Sequence, residues 1–474
     1  MTSSVYLKYI EKTNSFVKST LPTYVLSRGA LERQMSNAKR KQAGIAFPPP
    51  RKQNHVLIIR FNIIPANNLG IVSDGLRRLC TFLEHLDNGI IQMEDKTDDG
   101  EIVWSPLSKY NFTATIGFGK RFFKKHNLLQ NSPKYLYDMP EYSELGDVSP
   151  YTLQQTDMIL QLASSDYSVN RMVLQNDNYL RYSKQYQTKY RLDSSDSEKP
   201  ALDIVGAVIS WANITDVHSG FHRTDGRNLM GFYDGISNPN RLTNDVVWIS
   251  EAEDPILADG TYMVFQKIEH DLRQWDQMDI RAQEKWVGRS KATGLLLGTL
   301  SDEEEQKLAS DFRSTDLVRR KQALKRVTRL VDEQRDPTKK LFDPYDLRYN
   351  KIYKNCPVSS HVRKANPRER NKRPWLLFRR GYLYIQEEFE NYPRSGLLFI
   401  SFQKDIKIFE DMKKNLAQQF NHSVSTKQLT HVKNYSNQKT LANSFNTQTL
   451  GGGYYFIPPI PSKNISEIGQ HFFK

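Results

Sequence analysis

The sequence predicts an α+β or α/β protein in which strands and helices alternate along the chain. Apolar runs rich in β-branched residues recur, and several are followed by stretches with apolar residues at helical spacing. The chain has 474 residues, enough to bury a large core. Its composition, 38% hydrophobic and 25% charged, is ordinary for a soluble globular protein.

Strand and helix patterns begin at residue 55. Residues 55–63 form a β-branched, apolar run that predicts a buried strand. Apolar residues at helical spacing between positions 71 and 86 predict a helix after it. Residues 112–119 alternate with period two and end in glycine, which predicts another strand, and residues 158–162 predict a further one.

The second half repeats this order. Residues 261–268 and 396–405 are apolar runs that predict strands, and amphipathic stretches around Trp275 and Phe409 predict helices after them. Both runs contain Phe-Gln-Lys before the helical stretch. The shared order indicates a weak internal duplication.

Charge and composition mark the limits of the folded part. Residues 1–52 contain ten basic and two acidic side chains, so they carry +8 of the net charge of +14. Three prolines at 48–50 favour an extended linker at the end of this segment. We interpret residues 1–52 as a flexible basic tail, 53–215 as the N-terminal half and 216–474 as the C-terminal half.

Two stretches of the C-terminal half have the composition of insertions. Residues 302–354 are rich in charge and contain an apolar stripe that includes Leu317 and Val331, which we interpret as a solvated surface helix. Residues 413–449 are polar and contain no acidic residue. We interpret them as a long surface loop.

Several classes of protein are excluded. No apolar run reaches 18 residues, so no membrane span is expected. Two cysteines exclude a disulfide framework and a four-thiolate metal site. Nucleotide-binding, zinc-protease and serine-hydrolase motifs are absent, and the basic excess of the tail does not require a nucleic-acid partner. We find no secretory or twin-arginine signal, so we expect a cytoplasmic location, with an organelle-targeted tail as the open alternative.

Two segments contain residues suited to chemistry. Residues 231–239 read Gly-Phe-Tyr-Asp-Gly-Ile-Ser-Asn-Pro, which on local chemistry is a tight turn. The functional alternative is that the glycines let the backbone approach a flat ligand while Asp234 points at it. The second segment, 360–368, contains His361 and is followed by an Arg-Arg-Gly-Tyr run at 379–382. Neither segment identifies a function by itself.

Together these segments resemble the dye-decolourising (DyP-type) peroxidase family of haem enzymes. The motif G-x-x-D-G matches at Gly231, Asp234 and Gly235. The signature H-x-R-x-x-N-P-R matches at 361–368, and R-R-G-Y matches at 379–382. Softer matches follow the family's order over roughly residues 55–460: 115–119, 288–291, 396–399 and 451–456. The last of these is most similar to the branch that includes bacterial deferrochelatases.

The resemblance implies an α+β fold of two ferredoxin-like sheet-and-helix halves, arranged as a dimeric α/β-barrel-like fold, with non-covalent haem b in the C-terminal half. It implies that His361 is the proximal ligand of the haem iron. The distal pair falls on Asp234 and Arg379. Gly231, Gly235 and Arg289 are then expected beside the haem, with Arg289 near the propionates.

The resemblance also implies the activity: a haem b-dependent peroxidase that reduces hydrogen peroxide and oxidises a dye-type or phenolic donor through a ferryl intermediate. The alternative is a haem-handling deferrochelatase that releases iron from haem. We expect a homo-oligomer. The hydrogen-bond partner of His361 stays open between Asp405, an amide and a backbone carbonyl.

Overall fold

The computed structural model describes fourteen ranges of the chain: 40–48, 52–64, 69–87, 91–97, 99–141, 151–174, 190–192, 208, 210–238, 246–372, 374–386, 394–422, 447–461 and 467–473. The elements of the first half are β1 (His55–Ile63), α1 (Leu69–Asp87), β2 (Ile91–Lys96), β3 (Ile102–Pro106), β4 (Thr113–Phe118), α2 (Lys120–Lys125), β5 (Met158–Ser164), α3 (Tyr167–Leu174), β6 (Tyr190–Leu192) and β7 (Ala212–Phe221).

The second half contains most of the helices. Its elements are β8 (Thr261–His270), α4 (Leu272–Gln277), α5 (Ile280–Val287), α6 (Asp302–Arg313), α7 (Leu317–Arg335), α8 (Asn350–Asn355), α9 (His361–Ala365), β9 (Phe378–Arg379), β10 (Tyr382–Gln386), β11 (Arg394–Gln403), α10 (Ile406–His422) and β12 (Thr447–Ile457). The strands predicted at 55–63, 112–119, 158–162, 261–268 and 396–405 are therefore confirmed, with shifts of a few residues at their ends.

Each half is a four-stranded antiparallel sheet with the ferredoxin-like order. The first half has the order β7-β1-β5-β4, and the second has the equivalent order β12-β8-β11-β10. Pairing of β4 with β12 and of β7 with β10 joins the two sheets, so eight strands close into a barrel. The predicted α+β fold of two ferredoxin-like halves is confirmed. The two runs behind the predicted weak internal duplication are β8 and β11, and each of these strands is followed by a helix.

Strand β1 is buried on both faces, which explains its continuous apolar sequence. Leu57, Ile59 and Phe61 pack in one cluster with α1 on the outside of the barrel. Val56 and Ile58 point to the opposite face and pack in the cluster that fills the barrel interior.

The predicted domain boundaries need two adjustments. The boundary between residues 215 and 216 falls inside β7, which pairs with β1 along its length, so the first half extends to Phe221. Residues 1–39 of the predicted flexible tail lie outside the described residues. Its end at 40–48 is packed against the barrel, because Ile45 is fully buried and Gln42 donates hydrogen bonds to the Ile116 and Pro458 carbonyls.

The interpretation of the 302–354 insertion as a solvated surface helix is wrong for one face of α7. Val327 and Val331 are fully buried, in a cluster that includes Tyr233 and Ile236. The part of the apolar stripe that contains Val327 and Val331 therefore packs on the G-x-x-D-G loop, whereas Leu317 at the start of the helix is 73% exposed. In the second insertion, α10 continues to His422 and β12 begins at Thr447, and residues 423–446 lie outside the described residues.

Among the helices in the described part of the chain, none has the length and apolar character that crossing a bilayer requires.

Candidate active site

The loop that carries Asp234 depends on its two glycines. Gly231 has φ of 87° and Gly235 has φ of 75°, a region that side chains disfavour. The turn expected from local chemistry is therefore present. It leaves the Asp234 side chain 35% exposed, with Oδ1 accepting a hydrogen bond from the Gly235 N–H at 2.6 Å. The turn and the functional alternative are thus compatible.

Strand β9 delivers Arg379 to the same place. The Arg379 guanidinium lies 3.5 Å from Asp234 Oδ1, and its side chain is 30% exposed. The next residue, Arg380, is buried and donates hydrogen bonds to the Ile45 and Pro48 carbonyls. Successive side chains of an extended chain point to opposite sides, so only the first arginine of the pair can face Asp234.

His361 is the first residue of α9 and is accessible to solvent, and the protein atoms packed around it weaken the hydration of its ring. This desolvation lowers the pKa of His361 to about 4, and the positive charges of Arg379 and Lys364 lower it further. The Asp234 carboxylate acts in the opposite direction. The imidazole is neutral at physiological pH, and it lies within electrostatic reach of the Asp234–Arg379 pair.

Helix α5 sets the position and the plane of His361. The Trp286 ring lies parallel to the imidazole, with 6.0 Å between centroids and 7° between planes. Gly288, at φ 90°, ends α5, and a Cβ there would lie 2.5 Å from Val362 Cγ2. Glycine at this position therefore permits the close approach of α9.

The structure places Arg289 behind the loop that carries Asp234. It is buried, its Nη1 donates to the Gly294 carbonyl at 2.8 Å, and its Nη2 donates to Ser237 Oγ at 2.9 Å. Arg289 thereby holds the loop that carries Asp234. Its contact with haem propionates stays a prediction. Asp405, one proposed partner of His361, accepts the Lys407 N–H at the start of α10.

Two residues near the site had no sequence signal. Trp286 is one of six tryptophans, and nothing in the sequence indicates that it packs on His361. Arg335 on α7 donates from Nε to the Ile236 carbonyl at 2.7 Å. Its role was hidden because α7 belongs to a segment that the family motifs do not cover.

Comparison with known families assigns both halves of the chain. The model described as "Dyp-type peroxidase, N-terminal" matches residues 42–178, and "Dyp-type peroxidase, C-terminal" matches residues 225–462.

Two curated relatives cover most of the chain. A deferrochelatase of Yersinia pestis bv. Antiqua is 29% identical over 435 residues, which span 88% of this chain and 80% of the relative. A deferrochelatase of Escherichia coli O6:K15:H31 is 23% identical over 437 residues, which span 88% of this chain and 82% of the relative.

Solved structures share the fold. The crystal structure of a DyP-type peroxidase from Cellulomonas bogoriensis has a TM-score of 0.58 and 19% identity, covering 90% of this chain and 96% of its own. Ferric DtpA from Streptomyces lividans has a TM-score of 0.57 and 19% identity, covering 93% of this chain and 99% of its own. The two family models together match well over half of the sequence. The chain therefore belongs to the DyP-type peroxidase family, whose members bind haem and use hydrogen peroxide as oxidant.

Proposed function

We propose that this chain holds haem b through His361 and activates hydrogen peroxide with Asp234 and Arg379. One observation carries the proposal. A carboxylate and a guanidinium that are distant in sequence meet at 3.5 Å, and the charges of both act on His361. A carboxylate, a fixed cation and a neutral imidazole are the groups that haem peroxidase chemistry requires.

The donor set fits haem. A neutral imidazole is the form that ligates iron, and the low pKa of His361 keeps it in that form. Its side chain is exposed in the site, which leaves the ring free to meet a ligand, and Trp286 fixes the ring plane. When bound, haem supplies the redox chemistry by which peroxide is reduced and a donor is oxidised.

The chain's own residues handle protons and charge. The Asp234 carboxylate accepts a proton from hydrogen peroxide and returns it to the departing oxygen, which leaves as water. The Arg379 guanidinium is a fixed cation that stabilises the negative charge that develops on the deprotonated peroxide. Their contact holds the proton acceptor and the fixed cation at adjacent positions.

A dye-type or phenolic donor is the reducing substrate that we propose. The homo-oligomeric state and the cytoplasmic location stay predictions.

A reconstitution experiment tests the proposal. The purified chain is loaded with haem, and peroxide-dependent oxidation of a phenolic donor is measured for wild type and Asp234→Asn. We expect the variant to retain haem and to lose activity by about 100-fold or more, the usual contribution of a positioned proton acceptor. Asp225→Asn is the matched control, because Asp225 lies in the same stretch of chain and pairs with Arg223. Equal activity of wild type and Asp234→Asn would reject the role of Asp234.

A second candidate function is iron release from haem, because the curated relatives described above are named deferrochelatases. Both functions use His361. The tetrapyrrole extracted after turnover separates them: intact haem supports the peroxidase, whereas stoichiometric iron-free porphyrin supports iron release. We expect intact haem.

A further inference from the structure

The pairing of β9 with β11 does not use the backbone N–H and C=O groups of Arg379. Arg379 lies opposite Ser401 of β11, and the next residue, Arg380, donates its N–H to the Ile400 carbonyl at 2.8 Å. Residues of an antiparallel pair alternate between those that bond across the ladder and those that do not. The N–H and C=O of Arg379 therefore point away from β11, and β9 is the last strand on this edge of the sheet.

The side-chain amide of Asn238 meets both groups. Asn238 Nδ2 donates to the Arg379 carbonyl at 2.7 Å, and Asn238 Oδ1 accepts from the Arg379 N–H at 3.1 Å. The amide thus replaces the peptide group of a missing neighbouring strand. This requires a donor and an acceptor on one planar group, which asparagine and glutamine provide.

Asn238 also belongs to the loop that carries Asp234. Its N–H bonds to the Gly235 carbonyl at 3.1 Å, which closes a four-residue turn that begins directly after Asp234. A short, hydrogen-bonded path therefore runs from Asp234 through this turn to the Arg379 backbone. Asp234 and Arg379, whose side chains lie 3.5 Å apart, are the two ends of this path.

Other contacts hold the loop without Asn238. Arg289 bonds to Ser237 Oγ, and Arg335 bonds to the Ile236 carbonyl. The apolar side of the loop packs on α7. Removal of the Asn238 amide should therefore leave the loop folded and release only its connection to Arg379.

We propose that Asn238 is a positioning residue that sets the placement of the Arg379 guanidinium relative to Asp234. It acts through the Arg379 backbone and does not itself handle peroxide. The inference rests on the proposed role of the Asp234–Arg379 pair.

A double-mutant cycle with Asn238→Ala and Arg379→Leu tests this role in the haem-loaded chain. Two quantities are measured: the rate of the spectral change of haem after peroxide is added, and the affinity of the ferric form for fluoride, an anion that Arg379 would stabilise. We expect Asn238→Ala to lower both by about 10-fold or more in the wild-type background, since small misplacements of reacting groups are costly. In the Arg379→Leu background it should change neither by more than about 2-fold, because coupled residues are non-additive.

Two further variants sharpen the test. Asn238→Asp is nearly isosteric and keeps the acceptor for the Arg379 N–H, but it places an oxygen against the Arg379 carbonyl, so we expect a loss at least as large as that of Asn238→Ala. Asn350→Ala removes a comparable side-chain bond, to the Pro344 carbonyl, at the start of α8 and outside both β9 and the loop that carries Asp234, and should leave both quantities unchanged.

The outcomes separate this inference from the proposed function. If Asn238→Ala has no effect, or the same effect in both backgrounds, the positioning role is rejected while the role of Arg379 stands. If Arg379→Leu alone changes neither quantity, both are rejected.

Discussion

His361 is available as a ligand because of three features around one residue. Desolvation holds its pKa at about 4, Trp286 holds the plane of its ring, and Gly288 lets α9 approach α5. We expect His361→Ala to abolish stable haem binding, measured by titrating the apo chain with haem. His270→Gln is the control, because His270 is a buried histidine whose pKa is also lowered to about 4 by burial. Haem loss in the control and not in His361→Ala would move the ligand to His270.

Of the two adjacent arginines, we expect Arg379 to affect the reaction with peroxide and Arg380 to affect the stability of the fold. Arg379 is partly exposed and meets Asp234, so Arg379→Leu should keep the free energy of unfolding within about 1 kcal/mol of wild type. It should slow the reaction with peroxide by about 100- to 1,000-fold, the cost of losing one preorganised charge on a developing anion.

Arg380→Leu should show the opposite pattern, with a loss of stability and little change in the reaction with peroxide. Its loss leaves the buried carbonyls of Ile45 and Pro48 without their donor, which should lower the free energy of unfolding by about 3 kcal/mol. Urea denaturation and single-turnover kinetics of both variants check this pair. A swap of the two phenotypes would show that the assignment is one residue out of register.

At the scale of elements, α7 supports the loop that carries Asp234. Val331 is fully buried against the cluster that contains Tyr233 and Ile236, whereas Val318 on the same helix is 64% exposed. We expect Val331→Ala to lower the free energy of unfolding by about 2 kcal/mol, from lost burial and the cavity left behind. Val318→Ala should stay within about 0.5 kcal/mol. Equal costs in urea denaturation would mean that α7 does not pack on the loop.

Strands were easier to predict than the packing of α7. β1, β4, β8 and β11 have apolar runs or period-two patterns that local reasoning can read. The α7 stripe is equally visible, but its partners Tyr233 and Ile236 lie far away in sequence and helical periodicity does not identify them. The flanking charges favoured a solvated helix, and most of them occupy the outer face, but Arg335 faces inward and bonds to the Ile236 carbonyl.

In the site as well, contacts between residues that are distant in sequence could not be predicted from local patterns. The resemblance placed Asp234, Arg379 and His361 by their motifs, and the structure brings the first two into contact. Asn238 lies in the 231–239 segment, three residues after its G-x-x-D-G motif, yet its partner is the backbone of Arg379, which the side-chain types of the sequence do not indicate. Trp286 acts through ring stacking across two helices, so spacing along the chain does not reveal it.

At the scale of the whole molecule, Arg60 inside the barrel joins the two halves through its bond to the Gly452 carbonyl of β12, and it also pairs with Asp216 of the first half. The Arg60 guanidinium contacts Asp216 at 2.5 Å and also donates to the carbonyls of Gln154 and Gly452. Burial alone would raise the pKa of Asp216. The contacts with His218 and Arg60 outweigh burial and lower it to about 2. The folded state therefore favours the ionised carboxylate.

This shift gives a pH-dependent contribution to stability. Because the pKa of Asp216 is lower in the folded chain, the contribution is complete above the unfolded value near 4 and fades as the pH falls towards 2. A shift of this size corresponds to about 2 kcal/mol. The difference in free energy of unfolding between wild type and Asp216→Asn should thus shrink between pH 4 and about 2. A difference for Asp216→Asn that stays constant over this pH range would reject the linkage.

The most direct test of the site is the first reaction with peroxide, followed by stopped-flow absorbance in haem-loaded wild type and Asp234→Asn. A carboxylate accepts a proton only when ionised, whereas an amide does not accept it at any pH. We expect Asp234→Asn to bind haem normally and to react at least about 100-fold more slowly at neutral pH. Equal rates of the first reaction with peroxide in the two proteins would contradict the role of Asp234 and leave Gly231–Gly235 as a structural turn.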